Sequence, residues 1–167
     1  MAIKIVDLGI VIVDQGQKNN PNRIKAMMGD FPALYEDPGN PTLANLPEGI
    51  VEEHLLLASF GPDVCYLKIE YVNEGLLAEG YPLKNFVHLC AITRPPVREI
   101  WAKNGILHIE VTDPEWFRPD KFAVPTICEL PCGRGIGQLF YEHTGKTGPR
   151  GEGCWYLVGE QNSTKSQ

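Results

Sequence analysis

Prolines at positions 114, 119, 125 and 131 recur every five or six residues, and this spacing constrains the fold more than any other feature. A proline inside a helix removes a backbone hydrogen bond and clashes with the preceding turn, so no long helix fits beyond Asp113. The remainder is punctuated in the same way, with 17 Gly and 14 Pro in 167 residues. Such dense turn residues favour short strands joined by turns. The apolar content of 43% suffices for a core. A chain of this length buries roughly 70% of its unfolded surface and needs no disulfide or metal to fold. We expect one domain over residues 1–159, with a polar, frayed tail at 160–167. The expected class is strand-rich α+β: an antiparallel β-meander preceded by one short helix, with an all-β sandwich as the alternative.

Residues 3–13 form a nearly continuous Ile/Val-rich run, which suits a central strand buried on both faces. Residues 23–36 place Ile24, Met27, Met28, Phe31, Leu34 and Tyr35 at helical spacing behind a capping Asn22. Gly29 and Pro32 argue for a short or broken helix. Residues 37–49 read as a structured loop. His54–Phe60 and Val64–Val72 read as a hairpin across Gly61-Pro62-Asp63. Residues 86–93 read as a strand, and 98–112 as a strand or hairpin turning at Asn104-Gly105. Gln138–Glu142 and Cys154–Val158 read as short strands near the C-terminus.

The formal charge of −6 disfavours a nucleic-acid partner, which needs a basic face against the phosphates. No apolar run reaches the roughly 18–20 residues that span a bilayer. Lys4, Asp7 and Asp14 interrupt the N-terminal run, so it does not read as a signal peptide. A cytoplasmic setting is expected, and the glycosylation pattern Asn162-Ser163-Thr164 then carries little weight. Five cysteines at irregular spacing do not form a disulfide framework. Cys65 and Cys90 lie inside apolar runs and read as buried core residues.

Three constellations could carry chemistry. Cys128, Cys132, His143 and Cys154 offer three thiols and an imidazole, a ligand set that zinc accepts, although their spacing differs from the tight Cys pairs of zinc modules. No other cofactor is expected. Gly133-Arg134-Gly135-Ile136-Gly137 and Thr144-Gly145-Lys146-Thr147 suggest phosphate binding, but Phe140 stands where a phosphate loop needs its first glycine. His88 and Cys90 would share one face of a strand, without a motif that marks a nucleophile.

The middle of the chain resembles the ubiquitin-conjugating enzymes. Asp37-Pro38 follows the helical segment, and Ser59-Phe60-Gly61-Pro62 closes a strand. Next come Tyr66–Tyr71, Tyr81-Pro82-Leu83-Lys84 and Pro95-Pro96. Last is Asn104-Gly105-Ile106-Leu107-His108-Ile109-Glu110-Val111, with Trp116 beyond. In that family a similar Asn-Gly string runs into the active-site cysteine, with a tryptophan eight residues later. Here His108 occupies the cysteine position and cannot form a thioester, and the family's His-Pro-Asn element is absent. The resemblance covers about residues 22–120 and implies a non-catalytic relative. Such a relative would bind a ubiquitin-like protein or a partner enzyme through Tyr81, His108, Glu110 and Trp116. Two other readings stand beside it. One is a structural or assembly protein, such as a viral or phage particle component, whose N-terminal run pairs with a neighbour's sheet edge. The other is a thiol- or zinc-dependent enzyme.

Overall fold

The computed structural model describes residues 3–32, 46–60, 69–113, 123–130, 133–140 and 154–162. A six-stranded mixed sheet organises them. Its strands are β1 (Ile3–Asp14), β2 (Ile50–Phe60), β3 (Ile109–Glu110), β4 (Ala123–Leu130), β5 (Gly133–Phe140) and β6 (Trp155–Gly159). Across the sheet the order is β1-β2-β6-β3-β4-β5. All neighbours run antiparallel except β3 and β6, which are parallel. The strand-rich α+β class holds. The sheet is mixed where a meander was expected, and the described residues contain four helices: α1 (Arg23–Met28), α2 (Ile69–Ala78), α3 (Phe86–Ala91) and α4 (Val97–Lys103).

The sheet has a separate core on each face. Leu55 and Leu57 of β2 and Val11 and Val13 of β1 join Met27, Phe86, Leu89, Cys90, Trp101 and Ile109 in the larger one. Leu56, Ala58 and Phe60 point the other way and pack with Val72 and Leu76 of α2 and with Cys154, Tyr156 and Val158. Successive strand residues face opposite sides, so one strand feeds both cores. This explains the unbroken Leu55–Phe60 run.

Several sequence expectations are corrected. Among the described residues strand β1 lies at the sheet edge, and it is not buried on both faces. Its pairing with β2 slips between Asp7 and Gly9, where Gly9 has φ 76° and donates its N–H to Asp7 Oδ1 at 2.7 Å. This bulge moves the core-facing positions from even numbers (Val6, Leu8) to odd ones (Val11, Val13). The first helix ends at Met28, because Gly29 takes φ 62°. Asn22 occupies its N-cap position without a side-chain capping bond.

The end of the expected strand 64–72 is helical from Ile69, with Ile69, Val72 and Leu76 buried on one side. The expected strand 86–93 is helix α3, started by Asn85, whose side chain accepts from Val87 N at 3.1 Å. The Asn104-Gly105 hairpin turn is the C-terminal cap of α4 instead, with Gly105 at φ 70°. The glycine string 133–137 is part of β5, paired with β4. The tail is tied down at its start: Asn162 N donates to Gly80 O at 2.8 Å, and Gln161 Nε2 donates to Glu79 O at 2.7 Å. Residues 33–45, 61–68, 114–122 and 141–153 lie outside the described residues, and with them the Gly61-Pro62-Asp63 link and Thr144–Thr147. Among the described residues no helix is long and apolar enough to cross a membrane.

Candidate functional site

Three of the residues singled out from the sequence meet on one face of the sheet. His108 and Glu110 are two apart on β3 and its approach, so their side chains share a face. Glu110 pairs with Tyr156 in the parallel β3–β6 ladder, and Trp155 N donates to His108 O at 3.1 Å. Cys154, one residue before β6, therefore stands beside His108. One ligand atom from each of His108, Glu110 and Cys154 lies within 4.8 Å of the other two. His108 Nε2 is 2.9 Å from Glu110 Oε1.

Burial is graded across the group, with Glu110 and Cys154 buried and His108 half-exposed. Cys154 borders the α2-side core. Its carbonyl accepts from Ser59 Oγ at 2.8 Å, which fixes the backbone at the head of β6. The group thus combines a thiol, an imidazole and a carboxylate, with one flank toward solvent.

The remaining candidates fall elsewhere. Tyr81 packs against the α2-side core and is not in the group. Cys128 lies half-buried on β4, outside the cluster. Trp116, Cys132 and His143 are outside the described residues, so the four-ligand set proposed from the sequence is represented here by Cys128 and Cys154, which are not in one cluster. His88 and Cys90 sit on helix α3. The Cys90 thiol is fully buried and its ionisation is pushed far up by desolvation, which is the behaviour of a core residue.

Sequence reasoning missed a polar cluster beneath α3. Glu53 of β2 accepts from Lys84 Nζ at 3.3 Å and from His88 Nε2. Burial works to raise the Glu53 pKa, but His88 and Lys84 together hold it below the ordinary carboxylate value. Burial lowers the His88 pKa. His88 also completes the capping box with Asn85, so this cluster seats the helix on the sheet. The Asn85-x-x-His88 spacing was the available signal.

Also missed was the outer face of the paired strands β1 and β2. Ile10, Ile12 and Ile50 are 65%, 64% and 68% exposed. Ile10 pairs with His54, Ile12 with Glu52 and Asp14 with Ile50, so the three isoleucines share one face. Beside them His54 Nε2 lies 2.7 Å from Asp7 Oδ1, and His54 Nδ1 lies 3.6 Å from Glu160. Comparison with protein families, with curated proteins and with solved structures finds no match for this chain.

Proposed function

We propose that the protein is an assembly component whose β1 edge pairs with β1 of a second copy. The carrying observation is the isoleucine face: three side chains about two-thirds exposed on and beside a twelve-residue edge strand. Sheet edges are ordinarily blunted by Lys, Pro, a bulge or a covering element, and the one bulge of β1, at Asp7–Gly9, precedes the Ile10–Val13 run. Gly9–Val13 contains neither charge nor proline.

The segment is self-complementary. Antiparallel pairing about a two-fold axis through Val11 sets Ile10 opposite Ile12 of the second copy, and the reverse. Asp14 then faces Leu8 and Asp7 faces Gln15, so no like charges oppose each other. Ile10 and Ile12 of both copies meet in one apolar cluster, with each copy's Ile50 flanking it on β2, and the same patch serves both sides, as a two-fold interface requires. The proposal keeps the protein partner expected from the sequence. It moves the contact from the region of Tyr81, His108, Glu110 and Trp116 to the N-terminal strand.

Sedimentation equilibrium over a wide concentration range tests this, comparing wild type with Ile12→Lys. Wild type is expected to be a concentration-dependent dimer. The variant brings two ammonium groups together across the axis and is expected to be monomeric with unchanged circular dichroism. A wild-type monomer at millimolar concentration overturns the proposal. So does a dimer that Ile12→Lys leaves intact.

A further inference from the structure

We infer that His108, Glu110 and Cys154 form a binding site for one zinc-type divalent ion. The donor chemistry is the first ground. Thiolate, imidazole and carboxylate are the three side-chain ligands that zinc uses, and three protein donors leave a fourth tetrahedral position for water or a ligand. The second ground is geometry. The three ligand atoms lie within 4.8 Å of one another. Zinc bond lengths place tetrahedral donors roughly 3.3–3.6 Å apart, so closing onto an ion takes displacements of about 1 Å.

The backbone beneath is already fixed. Glu110 is in register with Tyr156, and the Trp155 N to His108 O bond holds His108 beside Cys154. Glu110 lies on β3, with His108 on its approach and Cys154 one residue before β6, so all three stand at the head of the parallel β3–β6 pair. Glu110 is 0% and Cys154 6% exposed, so an ion seated there is largely screened from bulk water. On binding, the Cys154 thiol would give up its proton to become the thiolate ligand, His108 would bind as neutral imidazole, and thiolate plus carboxylate would balance the ion's two charges. His108, at the solvent flank, marks the side from which an ion enters.

This ligand set differs from the one read in the sequence: it keeps Cys154 and replaces Cys128, Cys132 and His143 with His108 and Glu110. It is independent of β1 pairing, since none of these residues lies on β1 or β2.

The full chain, stripped with a chelator, is titrated with Co²⁺ and then with Zn²⁺. The expected result is one Co²⁺ per chain with a thiolate-to-cobalt charge-transfer band that Zn²⁺ abolishes. Cys154→Ser removes the band and weakens binding at least 100-fold, and Glu110→Gln and His108→Gln weaken it at least 10-fold. Cys128→Ser changes neither band nor affinity. Added Zn²⁺ raises the Tm of wild type and of Cys128→Ser but not of Cys154→Ser, a readout that does not depend on equal folding of the variants. No binding at micromolar metal overturns the inference, as does a band that survives Cys154→Ser. An apo protein whose Cys154 is rapidly alkylated while binding no metal would make the same three residues a thiol nucleophile with its base, and would also overturn it.

Discussion

Arg23 gives the most exacting test of how this fold is held. It is 3% exposed, at the start of α1. Its Nε and Nη2 donate to Gln15 O at 2.9 and 2.7 Å. Nη2 also donates to Pro47 O at 2.6 Å and reaches Leu46 O at 3.4 Å. One guanidinium therefore joins the exit of β1, the first helix and the approach to β2. Its stem is packed as well, since a Cβ on Gly16 would meet Arg23 Cγ at 2.9 Å. The substitution to make is Arg23→Lys, which keeps the charge and loses the fork.

A charge-assisted bond contributes about 1.5–3 kcal/mol. A lysine ammonium can retain one of the two short carbonyl contacts, so one such bond is lost and a carbonyl is left poorly satisfied. The expected cost is about 2–4 kcal/mol, equivalent to a fall of about 5–15 °C in Tm for a chain this size. Urea unfolding followed by tryptophan fluorescence, to which the buried Trp101 contributes, should show a lower midpoint with an unchanged slope. A variant within about 0.5 kcal/mol of wild type, the range of ordinary surface substitutions, refutes the reasoning.

Further outcomes follow from single sites. Gly9→Ala meets no atom within 4 Å but must adopt φ 76°, so it should cost about 1 kcal/mol through backbone conformation alone. A cost near zero by urea melt would mean that the bulge relaxes. Leu57→Ala, at a fully buried position facing the larger core, should cost about 3–5 kcal/mol in the same assay. The Asp7–His54 pair should shape the pH profile. The hydrogen bond from Gly9 N–H, then that from His54, lowers the Asp7 pKa; the bond to Asp7 raises that of His54. Asp7's share of stability is present above its ordinary pKa and lost as pH falls through the folded value. His54's is present below its ordinary pKa and lost as pH rises through the folded one. Both overlap between roughly pH 4 and 6.5, where His54→Gln should cost a few tenths of a kcal/mol because the pair is exposed. A difference that persists at pH 9 contradicts this, as does an imidazole NMR titration below the ordinary histidine value.

Strand β1 was legible because its nearly continuous apolar run outweighs local ambiguity; β2 was legible only over His54–Phe60, because Glu52 and Glu53 break the apolar pattern of its first half. What the pattern did not carry was exposure. Ile10 and Ile12 look like core residues, but they point to the face opposite Val11 and Val13, and that face is left in water here as it is at Ile50 of β2. The three later helices were read as strands for separate reasons. In α3 all six residues are buried, and a short apolar run has no periodicity to separate helix from strand. In α2 the alternation of Tyr66–Tyr71 masked the i, i+3, i+7 spacing of Ile69, Val72 and Leu76. At α4 the Asn-Gly pair suits a hairpin and a helix end equally, and Pro95-Pro96 at its start was the better signal. For the site, His108 and Glu110 share a face by simple strand spacing. Their meeting with Cys154 depends on a parallel pairing between segments more than forty residues apart, and nothing local in the sequence encodes that pairing.

The shortest strand has a consequence for how the molecule opens. Among the described residues, hydrogen-bonded continuity from β1, β2 and β6 to β4 and β5 passes through β3, two residues long. Amide exchange should therefore resolve two cooperative units, with β4 and β5 opening at lower free energy than β1 and β2. His108, Glu110 and Cys154 lie at the β3–β6 seam between them. An ion seated there acts as a rivet: loading it should slow exchange in the β4–β5 hairpin as well as at the site.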